Sequence, residues 1–172
     1  MARQLTTSCR RQGTLKNIMK IANAVLLYSL YVLGQIALAG AWDMGPFDND
    51  DALDWVYELE ASNDLSAVKA ALSAAANQGA YIEAPTGSAA VAAAEVVAAL
   101  LGRAHPQLPP EVASWVDGHA LAKDDALVEL ARTAIARVQD PAESELAELW
   151  SESPESLLEW RSSLSDLDGR LQ

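Results

Sequence analysis

The segment GSAAVAAAEVVAALL, residues 87–101, decides the fold that this sequence of 172 residues predicts. Nearly all of its side chains are apolar or small, and Glu95 is its only charge. A helix that is apolar nearly all round has no face to turn toward water, so it belongs in the interior. We therefore predict a buried, alanine-rich central helix that the other helices of the domain surround.

The segments on both sides have the 3.6-residue period of amphipathic helices, and no period-two strand is longer than a few residues. Such helices are predicted over residues 49–61, 64–78, 110–117 and 123–139. Prolines between the central helix and the next one forbid helix continuation and make a rigid connector. We expect an all-α fold, a single irregular bundle of six or seven helices packed around the central alanine-rich helix.

Two further helices are predicted toward the C-terminus. One begins at Pro141 and turns Leu146, Leu149 and Trp150 inward. The other begins at Pro154 and repeats apolar residues at alternating spacings of three and four, a seam that must lie on another helix. The seam consists of Leu157, Trp160, Leu164, Leu167 and Leu171. A self-associating structural domain, with a homo-oligomer formed through this C-terminal helix, is one functional alternative.

The first 39 residues form a basic leader. They hold five basic side chains and no acidic one. Residues 21–39 contain no charged residue and end in Ala-Leu-Ala, a sequence typical of a signal-peptidase cleavage site. This pattern predicts a signal peptide, while the apolar run is also close to the ~20 residues of a retained membrane anchor. In both cases the leader interacts with a membrane and residues 40–172 lie outside the cytoplasm, secreted, periplasmic or anchored to the inner membrane. If the leader is a start-site error, the domain is cytoplasmic.

The charge of residues 40–172 is strongly negative. They carry seven basic and 24 acidic side chains, a formal charge of −17. Such a surface repels phosphate backbones, so we expect no nucleic-acid binding, and a basic protein is the more suitable partner. The only cysteine, Cys9, is in the leader, so the domain has no disulfide and no cysteine-ligated metal. Nothing in the composition points to a cofactor.

The stretch GAWDMGPFDNDDALDW, residues 40–55, is the most unusual part of the domain. Asp48 or Asn49 suits the N-cap of the first helix, Asp50 and Asp51 suit the positive end of its dipole, and Phe47 can close against the helix as a staple. The candidate binding surface comprises Trp42, Asp43, Pro46, Phe47, Asp48, Asn49, Asp50 and Asp51. The other tryptophans fall on apolar stripes and are predicted to be core residues.

The same carboxylates also permit a metal site. Asp48, Asp50, Asp51 and Asp54 could hold a divalent cation, which makes a metal-dependent hydrolase using residues 48–54 the alternative to a binding role. The spacing differs from a calcium loop, because the central glycine and the distal bidentate glutamate are missing. Helix capping explains most of these acids without a metal.

Three other titratable residues are candidates for catalysis. His105 and His119 are the only histidines, and both are predicted to be solvated loop residues. Glu95, alone on the apolar helix, is predicted to pair with Arg103 or with a base from another helix, or to reach water at an edge. No cysteine and no serine in a nucleophile-elbow context accompanies them in the domain, so we expect no catalytic residue and no enzymatic activity.

Three segments carry a family resemblance: GAWDMGPFDNDDALDWVYELE at 40–60, YIEAP at 81–85 and SELAELWSES at 144–153. With them, residues 40–172 resemble a small bacterial family described only as a domain of unknown function, number 4259 in its series. Asp43 stands where that family usually has glycine, and the leader is not typical of it. The resemblance implies a domain but no activity. We therefore expect a non-enzymatic protein-binding module outside the cytoplasm.

Overall fold

The computed structural model describes residues 45–119 and 124–172. The leader, with its predicted signal or anchor helix, and the candidate residues Trp42 and Asp43 lie outside the described residues. The described residues form seven α-helices and no β-strand, so the all-α prediction is confirmed. The helices are α1 (Asp50–Ala61), α2 (Ser66–Ala76), α3 (Ala84–Leu100), α4 (Pro110–Asp117), α5 (Asp125–Val138), α6 (Glu145–Ser151) and α7 (Pro154–Arg170). None of them is long and apolar enough to cross a membrane.

Helix α3 is the centre of the bundle. It contacts each of the other six helices, and nearly all of its side chains are buried, including Glu95. It begins at Ala84, three residues before the predicted start, because proline is tolerated in the first turn and because the Glu145 carboxylate accepts a hydrogen bond from the Ala84 amide. Its small side chains let the surrounding helices approach closely, as at Gly87, where an added Cβ would lie 2.8 Å from Leu146 Cδ1.

Helices α1 and α2 form the first layer over α3. Helix α1 buries one face, with Ala52 and Leu59 fully covered, and α2 buries Val68, Leu72 and Ala75. Helix α2 begins at Ser66 rather than at residue 64, because the Asp64 carboxylate accepts a hydrogen bond from the Ser66 amide and so stands outside the helix. These hydrogen bonds with Ser66 are the main reason that the pKa of Asp64 is lowered.

A joint between residues 75–84 and 137–148 ties the two halves of the domain together. Ile82 and Ser144 form a single parallel bridge, in which the Ile82 amide donates to Glu143 and the Ile82 carbonyl accepts from Glu145. Beside it, the guanidinium of Arg137 donates hydrogen bonds to the carbonyl oxygens of Ala75, Asn77 and Ala80 and to the Glu143 carboxylate. Arg137 thereby caps the C-terminal end of α2, whose last turn contains no basic residue.

This joint also corrects two predictions about the sixth helix. The helix does not begin at Pro141 but at Glu145, because the backbone of residues 143–145 is used for the bridge to Ile82. Leu149, which was predicted to point inward, is 44% exposed. The neighbouring Trp150 is partly buried and stacks on Trp160, with ring centroids 6.2 Å apart. In the seam of α7, Trp160, Leu164, Leu167 and Leu171 are buried within the domain.

Candidate functional site

The turn before α1 is held by local hydrogen bonds. The Asp48 amide donates to the Gly45 carbonyl, 3.2 Å away, and a Cβ on Gly45 would collide with the exposed Asp48 carboxylate, which would have to move to make room for it. Asn49, not Asp48, is the N-cap, since its side-chain oxygen accepts from the Ala52 amide at 2.9 Å. Phe47 is buried in the core, at 7% exposure. The predicted capping role of this stretch is thus confirmed for Asn49.

Helix α1 carries an uncompensated set of negative charges. Its acidic residues are Asp50, Asp51, Asp54, Glu58 and Glu60, and it has no basic residue. None of the five forms an ion pair with any residue in 45–119 or 124–172. The unpaired charge therefore belongs to the whole length of α1 and not to its first turn alone.

In an isolated helix, five acidic residues at these positions would on balance lower the stability of the helix. Asp50 and Asp51 do lie at the positive end of the helix dipole, where an acid is stabilising. Asp54, however, is one turn from both Asp50 and Glu58, and like charges at a spacing of four residues repel. Glu58 and Glu60 lie toward the negative end of the dipole, where an acid is unfavourable. Helix α1 would consequently be more stable if these acids had cationic partners.

One row of these acids lines a groove. Asp51, Asp54 and Glu58 succeed one another by one helical turn and form one wall of a cavity of about 400 Å³. The opposite wall is made by four alanines of α2, and the groove is completed by the first turns of α3. Its remaining lining residues are Trp55, Ala67, Ala70, Ala71, Ala74, Pro85, Thr86 and Ala89. The groove therefore offers carboxylates on one side and an apolar surface of small side chains on the other.

The candidate metal ligands are distributed over different places. Asp51 and Asp54 line the groove, Asp48 lies in the turn, and Asp50 is exposed on the first turn of α1. In the part of the chain that the structure describes, no group of three or more His, Cys, Asp or Glu side chains is placed to hold a metal ion. Among the described residues of the candidate binding surface, only Asp51 lines the groove. Asp54 and Glu58, which lie outside that surface, continue the acidic wall of the groove along α1.

Glu95 forms a buried ion pair with Arg170 at the end of the last helix, and not with Arg103. Glu95 is 2% exposed, and its Oε1 and Oε2 accept hydrogen bonds from Nη2 and Nη1 of Arg170 at 2.6 and 2.7 Å. These bonds are the main reason that the pKa of Arg170 is raised, with Asp166 adding to the effect and burial opposing it. Arg103 instead exchanges hydrogen bonds with Arg170 through the two backbone carbonyls. Glu95 therefore fastens α7 to α3.

Both histidines lie outside the helices, and both are half-buried rather than fully solvated. His105 Nδ1 accepts a hydrogen bond from the Gln107 amide within the proline-rich connector. His119 is half-buried, contrary to the prediction of a solvated loop residue, because its ring stacks on Trp115 with centroids 3.8 Å apart. Its Nδ1 lies 2.6 Å from the Trp115 carbonyl oxygen, which can only accept, so Nδ1 carries a proton. The Trp115 indole in turn donates to the Ser62 carbonyl, which fixes α4 to the turn between α1 and α2.

Two of the three motif segments that carry the family resemblance meet in the structure. YIEAP and SELAELWSES form the joint through the bridge of Ile82 and Ser144, and the Tyr81 hydroxyl donates to the Glu148 carboxylate at 2.9 Å. A family model described as "Domain of unknown function (DUF4259)" matches residues 40–163, which confirms the resemblance over that range. No curated protein and no solved structure matches the chain.

Proposed function

The chain belongs to the DUF4259 family, and for this member we propose a non-enzymatic role, the binding of a basic segment of a partner protein by the acidic groove between α1 and α2. The leader predicts that this binding takes place outside the cytoplasm. The partner supplies lysine or arginine side chains to Asp51, Asp54 and Glu58, and small or apolar side chains to the alanine wall of α2.

One observation supports this proposal above the others: helix α1 concentrates five acids without a single ion pair among the described residues. Acids that serve only to cap a helix are needed in the first turn, yet Asp54, Glu58 and Glu60 lie beyond it and oppose the dipole or repel each other. A cationic partner would relieve this repulsion. Complementary charge of this kind steers association and selects partners more than it raises affinity.

The shape of the groove fits the same partner. Alanines at positions 67, 70, 71 and 74 follow helical spacing and leave no long side chain on that wall, so a partner backbone can approach closely. The three acids on the other wall are spaced by one turn each, and span about 10 Å along the helix axis. A partner helix lying along α1 would present one base per turn at the same spacing.

The proposal is tested with a defined peptide. The full chain, in mild detergent, is titrated into a fluorescently labelled helical peptide that carries one lysine per turn and otherwise alanine. The triple substitution Asp51→Asn, Asp54→Asn and Glu58→Gln should weaken binding about tenfold or more, because it removes three charge pairs of about 0.5–1 kcal/mol each. Binding of the unchanged chain should also weaken with added salt.

A matched triple substitution separates the location of the charges from their number. Glu152→Gln, Glu155→Gln and Glu159→Gln neutralise three exposed acids of the C-terminal region and change the net charge by the same amount. This variant should bind the peptide like the unchanged chain. Equal weakening by both triples would show that net charge alone governs the interaction, and the absence of any peptide binding would reject the proposed function.

A further inference from the structure

Helix α1 also exposes two large apolar side chains. Leu53 is 43% exposed and Tyr57 is 70% exposed, and they lie one helical turn apart on the side of α1 that faces away from the core. The other large exposed apolar residues among the described residues are Tyr81, Leu149 and Leu158. The helix with the unpaired acids is thus also the helix with an adjacent pair of exposed apolar side chains.

The arrangement of side chains around α1 places this pair among the acids. At 100° per residue, Leu53 and Tyr57 lie between Glu60 on one side and Asp50 and Asp54 on the other. The groove acids Asp51, Asp54 and Glu58 continue the same exposed surface toward α2. The solvent-facing side of α1 is therefore an apolar ridge with Glu60 on one flank and a row of carboxylates on the other.

We propose that this ridge is part of the docking surface, and that the partner is an amphipathic basic segment whose apolar side chains cover Leu53 and Tyr57 while its bases pair with the flanking carboxylates. The inference rests on the proposed function and specifies the partner, since a segment with bases alone would leave the ridge uncovered. Tyrosine suits such a position, because its ring gives a large contact area at a small loss of conformational freedom and its hydroxyl stays in water. Charge complementarity selects this occupant over a second copy of the chain, whose acids would repel those of α1.

An interaction between Leu53 and Tyr57 within α1 is the competing explanation, since an aromatic and an aliphatic side chain four residues apart stabilise their own helix. The two explanations differ in what they predict for binding. If the pair only stabilises α1, its removal lowers the melting temperature, and the affinity for a ligand does not depend on the apolar side chains of that ligand. If the pair is part of a docking ridge, the affinity for a ligand increases with the size of the apolar side chains that the ligand places on it.

The experiment compares two labelled peptides with the full chain in mild detergent. Both carry one lysine per helical turn, and they differ in having leucine or alanine at the positions beside the lysines. The unchanged chain should bind the lysine–leucine peptide about tenfold more tightly than the lysine–alanine peptide. The double variant Leu53→Gln and Tyr57→Gln keeps good helix formers at exposed positions, so the fold should persist, which circular dichroism verifies. This variant should lose the preference for leucine and bind the lysine–alanine peptide as before.

The matched control is Leu149→Gln with Leu158→Gln, which removes two comparably exposed leucines on α6 and α7 and should keep the full preference. The inference is overturned if the double variant on α1 retains the preference, or if the control loses it equally. In either of those cases the proposed function stands as long as the lysine–alanine peptide binds and its binding depends on Asp51, Asp54 and Glu58. If neither peptide binds the unchanged chain, both the inference and the proposed function fail.

Discussion

Replacing Arg170 by leucine should lower the free energy of unfolding by about 3–5 kcal/mol, because the substitution leaves a buried carboxylate without its counter-ion. Glu95 lies on the central helix at 2% exposure, and the Arg170 side chain is 17% exposed. The pair is thus almost removed from water. In this environment an unpaired charge is far more costly than at the surface.

The magnitude follows from the geometry of the pair. Its two hydrogen bonds, of 2.6 and 2.7 Å, both join charged groups, and bonds of this kind contribute about 1.5–3 kcal/mol each. No other hydrogen bond joins the Glu95 side chain to a described residue, so the substitution removes its whole set of partners. The second ion pair of Arg170, with Asp166, adds little, because the Asp166 side chain is 64% exposed.

Urea denaturation at pH 7, followed by circular dichroism, measures this loss. With an m-value of about 1–3 kcal/mol/M, the midpoint should fall by at least about 1 M. Arg132→Leu is the matched comparison, since it breaks the pair of Arg132 and Asp168 between α5 and α7, where both side chains are more than a third exposed. Its effect should be much smaller. If Arg170→Leu costs no more than Arg132→Leu, burial of Glu95 is not the source of the energy and the reasoning is refuted.

Three local substitutions give further predictions. Asn49→Ala removes the acceptor of the Ala52 amide and should cost about 0.5–2 kcal/mol in a thermal melt, whereas an unchanged melting temperature would show that the cap contributes no stability. Gly87→Ala pushes a Cβ against Leu146 and should cost about 1–3 kcal/mol in urea. In the same experiment Gly169→Ala, whose Cβ meets nothing within 4 Å, should stabilise α7 by about 0.5–1 kcal/mol, and similar losses in both glycine variants would contradict the packing at Gly87.

The parts of the fold that the sequence predicted are those that depend on local pattern. The burial of α3 follows from its lack of any polar stripe, and the N-cap of α1 follows from Asn49. The start of α6 could not be predicted in the same way. A helix from Pro141 would need the backbone hydrogen-bonding groups of residues 143–145, but these groups bond to Ile82, which is distant in the sequence. Helix α6 has only seven residues, which is too few for the spacing of its apolar residues to show whether Leu149 faces the core or the solvent.

The candidate site likewise combines features that local sequence patterns predict with features that depend on contacts between distant parts of the chain. The acids of α1 are visible in the sequence, and Asn49 as their cap follows from local rules. The alanine wall opposite them depends on how α2 packs against α3, which no local pattern reveals. A base from another helix was one of the predicted partners of Glu95, and this alternative is confirmed, but Arg170 itself could not be named because it lies 75 residues further along the chain. The arginine in the last turn of α7 was the only sequence feature that pointed to this ion pair. A favourable interaction with the helix dipole explains an arginine at that position equally well.

The joint at Arg137 has a consequence for synthesis on the ribosome. The end of α2 obtains its hydrogen bonds from a side chain about 60 residues later, and the first amide of α3 obtains its bond from Glu145. Until those residues have been translated and have left the exit tunnel, the nascent chain presents an alanine-rich apolar segment that the later helices α5, α6 and α7 do not yet cover. We therefore expect the domain to fold only after its C-terminal third has emerged, and to depend on a chaperone during that interval.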